Sequence, residues 1–428
     1  MLRRHISIVL GLALTVASTV VTALAAGNYK ILHRFGNGER GISPEGGLIF
    51  DSSGNLYGTT FYGGTSDGGT IFELVSDGDG RWIQKVLHDF CSDTGCAKGE
   101  YPLGNLVFDA SGNLYGATMY GGIEYGGGGE NGLVFELIPG QNGIWTEKVI
   151  HAFCPQSPCL DGLNPTGSLL FDSAGNLYGT TSYGGAHGQG VVFQLVPGAS
   201  GTWTENVLYS FCNPHISCRD GANPQPGLVF DSAGNLYGTT WVGGESAGCR
   251  GRYPNTCGVV FELTPQNNRQ WTERVLHAFN YHDGAYPFAG LVFDGAGNLY
   301  GTTPYGGAFG SGVVFELVPG ADGSWAENII HHFDAVPHLP ASTPVFDNAG
   351  NLYGTALRGG GQNCGTVFKL TPGQNGVWTQ TVLHTFTGPD TGCGPLAGVI
   401  LDSAGNLYGT ASGNYGSDGD GLVYEITP

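Results

Sequence analysis

The chain has 428 residues, 77 of them Gly, with 12% charged, 11% aromatic and 40% hydrophobic residues. Glycine in that quantity without a three-residue period excludes collagen and a helical bundle, and the hydrophobic share excludes a disordered chain, which leaves an all-β protein with many tight turns. A formal charge of −19 with no basic stripe excludes nucleic acid as a partner and disfavours anionic membrane surfaces.

In chain order, the first feature is a secretory leader. Arg3 and Arg4 precede an apolar run from Ile6, and Ala23-Leu24-Ala25 forms a small-x-small cleavage site before Ala26. Residues 1–25 are therefore expected to be removed. Retention as an anchor is the alternative, and Ser7, Thr15, Ser18, Thr19 and Thr22 weaken it as a span. The mature chain, residues 26–428, is expected to be a single monomeric domain, secreted, periplasmic or at a bacterial cell surface, with no membrane span.

The rest of the chain is one unit repeated. Phe-Asp-x-x-Gly-Asn-Leu-Tyr-Gly begins at Phe50, Phe108, Phe171, Phe230, Phe293 and Phe346, with a seventh copy at Leu401. Each copy predicts four strands. Gly-Leu-Val-Phe-Asp is the first, and Asp-x-x-Gly-Asn turns the chain into Leu-Tyr-Gly-Thr-Thr, the second. A Tyr-Gly-Gly-rich loop leads to the third, as at 312–317, and a Pro-Gly turn leads to the fourth, as at 145–153. Four short strands repeated seven times predict a seven-bladed β-propeller. The last copy ends after its third strand, while residues 30–35 resemble a fourth strand (compare 85–90). An N-terminal strand completing the last blade would close the ring and leave no open edge.

The repeat resembles that of the GloVer tandem-repeat family, bacterial exported proteins whose members carry various sorting anchors, and the resemblance covers essentially all of residues 28–428. It implies export and a propeller-like array, and it brings no established activity or catalytic residues. Unlike many members, this chain is expected to lack a C-terminal anchor.

Ten cysteines in an exported chain predict disulfides, and spacing pairs Cys91 with Cys96, Cys154 with Cys159, Cys212 with Cys218, and Cys249 with Cys257. Cys364 and Cys393 remain for each other. Zinc is the competing reading, disfavoured because no CxxC occurs. The repeated Asp of each hairpin reads as a turn former, not a calcium ligand, and neither a cofactor nor a metal is expected. His33, His88, His151, His277, His331 and His384, with Tyr209 in the seventh copy, recur in the fourth strand. They read as hydrogen bonding within each blade. Trp82, Trp145, Trp203, Trp271, Trp325 and Trp378 read as packing between blades.

Residues that break the repeat are the candidates for function. The second-to-third loops and the fourth-to-first connections open on one face, and all ten cysteines map there. Trp241, Arg250, Arg252, Arg358, His187, Tyr125, Tyr281 and His282 lie off the pattern on that face. The residue after the repeated Pro should approach the channel mouth, which adds Glu45, Gln225 and Phe288 as ligand contacts among Leu103, Thr166, Ala341 and Leu396. No nucleophile elbow, HExxH or Walker loop is present.

The sequence thus predicts an exported, disulfide-stapled propeller that binds a glycan or a protein through its loop-rich face. The alternative is a polysaccharide lyase or glycoside hydrolase at the channel mouth, whose paired carboxylates would leave no spacing signature. A structural role in the envelope is the third reading.

Overall fold

The computed structural model describes residues 28–428, apart from 37–39, 93–94, 123–130, 214–216, 246, 250–255, 268–269, 335–338, 361, 389 and 414–419. The leader expected over residues 1–25 lies outside the described residues. The chain forms seven antiparallel four-stranded sheets arranged as a seven-bladed β-propeller. The fifth blade is representative, with strands Val292–Phe293, Leu299–Thr303, Val313–Pro319 and Trp325–His332, paired in that order from the centre outward. In the seventh blade the outermost strand is Asn28–Arg34, paired antiparallel with Leu422–Thr427. The two ends of the chain therefore close the ring.

Local chemistry explains the blade. In the first hairpin, Asp51 Oδ1 accepts the amides of Ser53 and Asn55, and Oδ2 accepts Asn55 Nδ2 at 2.8 Å and the Tyr57 hydroxyl at 3.3 Å. The same bonds recur at Asp172, Asp231, Asp347 and Asp402. Burial opposes ionisation of Asp51, yet the hydrogen bonds from Asn55, Ser53 and Tyr57 together hold its carboxyl below the ordinary range. The repeated Asp is therefore a turn former. Gly58 of Leu-Tyr-Gly leaves room for the Phe72 ring, since a Cβ there would stand 2.7 Å from Cζ.

The innermost strand differs from the sequence expectation. Val229–Phe230 pairs with one end of Leu236–Val242, and a separate piece, Ala222–Pro224, pairs with the other. The third blade is split in the same way, whereas Glu100–Phe108 of the second runs through with a register shift. Residues just ahead of the inner strand, such as Gly46-Gly47, instead face the adjoining blade. A Cβ on Gly46 would stand 2.4 Å from the Gly104 carbonyl oxygen.

The hydrophobic cores lie between blades. A Phe after each fourth strand packs against the third-strand aromatic of the next blade at all seven joints, from Phe90–Phe135 to Phe386–Tyr424 and, across the closure, Phe35–Phe72. Ring centroids are 5.0 to 5.3 Å apart, in edge or tilted geometry. Such pairs contribute about 0.5–1.5 kcal/mol each beyond burial. Trp145, Trp203, Trp271, Trp325 and Trp378 each pack on a Tyr of the preceding blade, as predicted. Nearer the axis, Thr239, Thr302, Thr355 and Thr410 donate to carbonyls of the next blade (2.9–3.1 Å), and the Thr410 bond to Gly46 again crosses the closure.

Candidate functional site

Five disulfides join Cys91–Cys96, Cys154–Cys159, Cys212–Cys218, Cys249–Cys257 and Cys364–Cys393, the pairs read from spacing. All lie in second-to-third loops or fourth-to-first connections, so they mark one face of the ring. Before each repeated Pro on this face stands a residue in the left-handed region, including Ser43, Tyr101, Asn164, Asn223, Tyr286 and Leu339. At Ser43, Tyr101, Asn164, Asn223 and Tyr286 the amide donates to the preceding blade, from Tyr286 to the Cys257 carbonyl at 2.8 Å and from Tyr101 to that of Gly68 at 2.7 Å. These bonds fix the direction of the side chain at those joints.

At two joints that side chain is aromatic. Between the fourth and fifth blades, Trp241 leaves the end of Leu236–Val242 with its ring centroid 6.3 Å from that of Tyr286. Tyr305 continues the row at 5.9 Å from Tyr286. Trp241 and Tyr305 are each 42% exposed, Phe288 48% and Phe309 66%, so this segment of the face presents aromatic surface to solvent. Between the first and second blades, Tyr101 stacks on Phe61 at 5.0 Å and meets Tyr62 and Tyr120 edge-on. Those four rings are half-buried against one another.

The structure places the sequence-derived candidates unevenly. Trp241 joins the row just described, and Phe288 is exposed two residues beyond Tyr286. Tyr281 is half-buried at φ 72°, its amide donating to Gly284 and its carbonyl accepting from Gly307. His282, His187 and Arg358 are exposed on separate loops. Glu45 is half-buried, while Gln225 is 7% exposed with its amide donating to the Asn223 carbonyl at 2.9 Å, which turns it inward. Arg250, Arg252 and Tyr125 lie outside the described residues. Tyr286 and Tyr305 were not singled out by sequence. The available signal was the aromatic before Pro, found at Tyr101 and Tyr286 where other copies have Ser43, Asn164, Asn223, Leu339 or Gly394.

The fourth-strand histidines correct an expectation. His33, His88 and His384 reach across the joints instead of bonding within a blade, and His151 and His277 meet an Asp of the following connection. His88 Nε2 lies 3.4 Å from Glu147 Oε2 of the next blade, and His384 stacks on Tyr29 at 3.7 Å across the joint to the closing blade. The cause is register, because the outer strands of adjacent blades stand side by side and bring each His opposite the Glu, Gln or Tyr two residues after the Trp position. At the joints that follow the second, third and fourth blades, an Asp from the connection enters as well. Burial and nearby Asp220 push Glu273 up to about 8, and burial and Asp161 push Glu205 up to about 7. Burial also raises Glu327 to about 7, with His277 opposing and Asp283 adding to the shift. Burial lowers His384 to about 4. The paired carboxyls are thus at the rim between blades, whereas the ring of residues after the prolines has Glu45 as its carboxylate.

The sequence matches the Gloeobacter/Verrucomicrobia repeat over residues 16–129, 117–345 and 248–428. The chain belongs to this repeat family. No curated protein matches it. In this member of the Gloeobacter/Verrucomicrobia repeat family, then, the repeat accounts for the blades, and the departures from it mark the loop-rich face. Among the described residues, no helix is long and apolar enough to cross a membrane.

Proposed function

We propose that this protein is an exported binding module that holds a glycan on its loop-rich face, with Trp241, Tyr286 and Tyr305 as the stacking platform. One observation carries the reading: an aromatic row, exposed at both ends, on loops anchored by inter-blade amide bonds and the Cys249–Cys257 disulfide. Sugar rings stack on aromatic faces through their C–H surfaces, and a neutral glycan suits a strongly acidic chain better than a polyanion does. Rigid aromatic anchors lose little conformational entropy on binding, which favours affinity from a small contact area. Five disulfides fit an oxidising compartment outside the cytosol.

The test is a titration of the mature protein against neutral and acidic polysaccharides, read for both binding and released oligosaccharide. Trp241→Ala and Tyr305→Ala should each weaken neutral-glycan binding by roughly tenfold or more, the loss typical of an aromatic anchor. Equal binding by wild type and both variants would remove the platform. Release of product would move the reading to the polysaccharide-cleaving alternative.

A further inference from the structure

The joint between the fourth and fifth blades carries a second constellation, at the outer rim. His277 Nε2 lies 3.3 Å from Asp283 Oδ2. A carboxylate oxygen of Glu327 completes a group whose three ligand atoms all lie within 4.8 Å of one another. Among the described residues the same criterion is met by Cys91, Cys96 and Glu100, but those sulfurs are joined to each other.

His277 Nε2 and Glu327 Oε1 are sealed from solvent and make no hydrogen bond. Buried polar atoms are ordinarily satisfied, and an ion bound beside Asp283 would satisfy both. Atoms without a hydrogen bond recur at the two preceding joints, on His151 Nε2 and Glu205 Oε1 and on Asp220 Oδ1 and Glu273 Oε1, so what sets this joint apart is the closeness of its three ligand atoms. At the joint of the third and fourth blades, Tyr209 stands in place of His and donates to Asp220 Oδ2 at 2.9 Å. At the joint of the second and third, both oxygens of Asp161 face the Cys154 amide at 3.1 and 3.0 Å.

We propose that His277, Asp283 and Glu327 bind a divalent metal ion of the zinc class that clamps the fourth blade to the fifth. One imidazole and two carboxylates suit zinc or a neighbouring first-row ion, whereas calcium takes oxygen ligands alone. Ligand atoms around tetrahedral zinc lie roughly 3.3–3.5 Å apart, given bonds of about 2.0–2.1 Å, so small side-chain rotations close the cluster. Two ligands come from the outer strand of the fourth blade and its following connection, and the third from the outer strand of the fifth. A bound ion would therefore fix the connection that carries Tyr281 and Tyr286. Asn280 holds Asp283 from the far side, its amide donating to Oδ1 at 2.8 Å and its side chain to Oδ2, which is the outer support such ligands need. No metal was expected from sequence because the three residues are not spaced as a local motif.

Chelator-treated protein is titrated with zinc chloride by calorimetry, with circular dichroism confirming the fold of each variant. Wild type takes up one equivalent and gains thermal stability by linkage. Asp283→Asn and Glu327→Gln, both isosteric, bind roughly tenfold or more weakly, and Glu205→Gln in the equivalent rim position binds as wild type does. The assignment is overturned by absence of zinc uptake, by uptake unchanged in Glu327→Gln, by an equal loss in Glu205→Gln, or by a preference for calcium. None of these readouts depends on glycan binding.

Discussion

Pro44 of the first blade fills the space that a side chain on Gly421 of the seventh would need. Gly421 has φ +93°, and a Cβ there would stand 2.3 Å from Pro44 Cδ. The same contact recurs at the other six joints, from Gly69 against Pro102 to Gly365 against Pro395, with separations of 2.4 to 2.8 Å. The repeat therefore encodes its own joint, a glycine opening the third strand of one blade and a proline preceding the inner strand of the next.

Gly421→Ala should consequently weaken the closure by about 2–4 kcal/mol, combining left-handed strain with overpacking. Gly405 is the control, because it has φ +86° with nothing near its Cβ position. Gly405→Ala should lose about 1 kcal/mol, the backbone part alone. Urea midpoints of the two variants separate strain from contact, and equal losses would show that Pro44 does not bear on Gly421.

The architecture was legible in the sequence because its determinants are local and repeated. Asp51 and Asn55 close their hairpin within five residues, and the offset of residues 30–35 requires ring closure whichever blade is considered. Less could be read where residues a full repeat apart meet. His88 and Glu147 each look like ordinary positions of an outer strand, and only the side-by-side placement of blades pairs them. Tyr305 occupies the patterned Tyr-Gly-Gly position, so repetition concealed it until Trp241 and Tyr286 were seen beside it. Gln225 followed the pattern as well, but the break in the inner strand turned it inward.

The disulfides should differ in what they contribute. Cys364–Cys393 closes 29 residues and links a second-to-third loop to the connection entering the last blade, while Cys91–Cys96 closes five within one connection. Loop-closure entropy gives about 3.6 kcal/mol for the first and about 2 kcal/mol for the second. Replacing each pair by Ala and comparing denaturation midpoints should show the larger loss for Cys364 and Cys393. The opposite order would show that local closure matters more than span.

Stability should also depend on pH through the rim. Glu273 faces Asp220 and Tyr209, and Glu205 faces Asp161 beside His151. Burial and these neighbours raise both carboxyls, to about 8 and about 7, above the 4.5 of an exposed Glu. Their protonated forms stabilise the fold fully below pH 4.5, and that contribution is lost as pH rises through the folded values. His384 has the opposite sign. Its folded value of about 4 lies under the ordinary 6.5, so its contribution is present above pH 6.5 and lost as pH falls. The two effects oppose each other in acid, but above pH 6.5 the histidine no longer changes and the carboxyls still do. The melting temperature should therefore fall between about pH 6.5 and about 8, and Glu273→Gln, which keeps a neutral hydrogen-bonding group at that joint, should flatten the decline. A wild-type profile already flat across that interval would mean that Glu273 and Asp220 are separated or solvated in the folded ring.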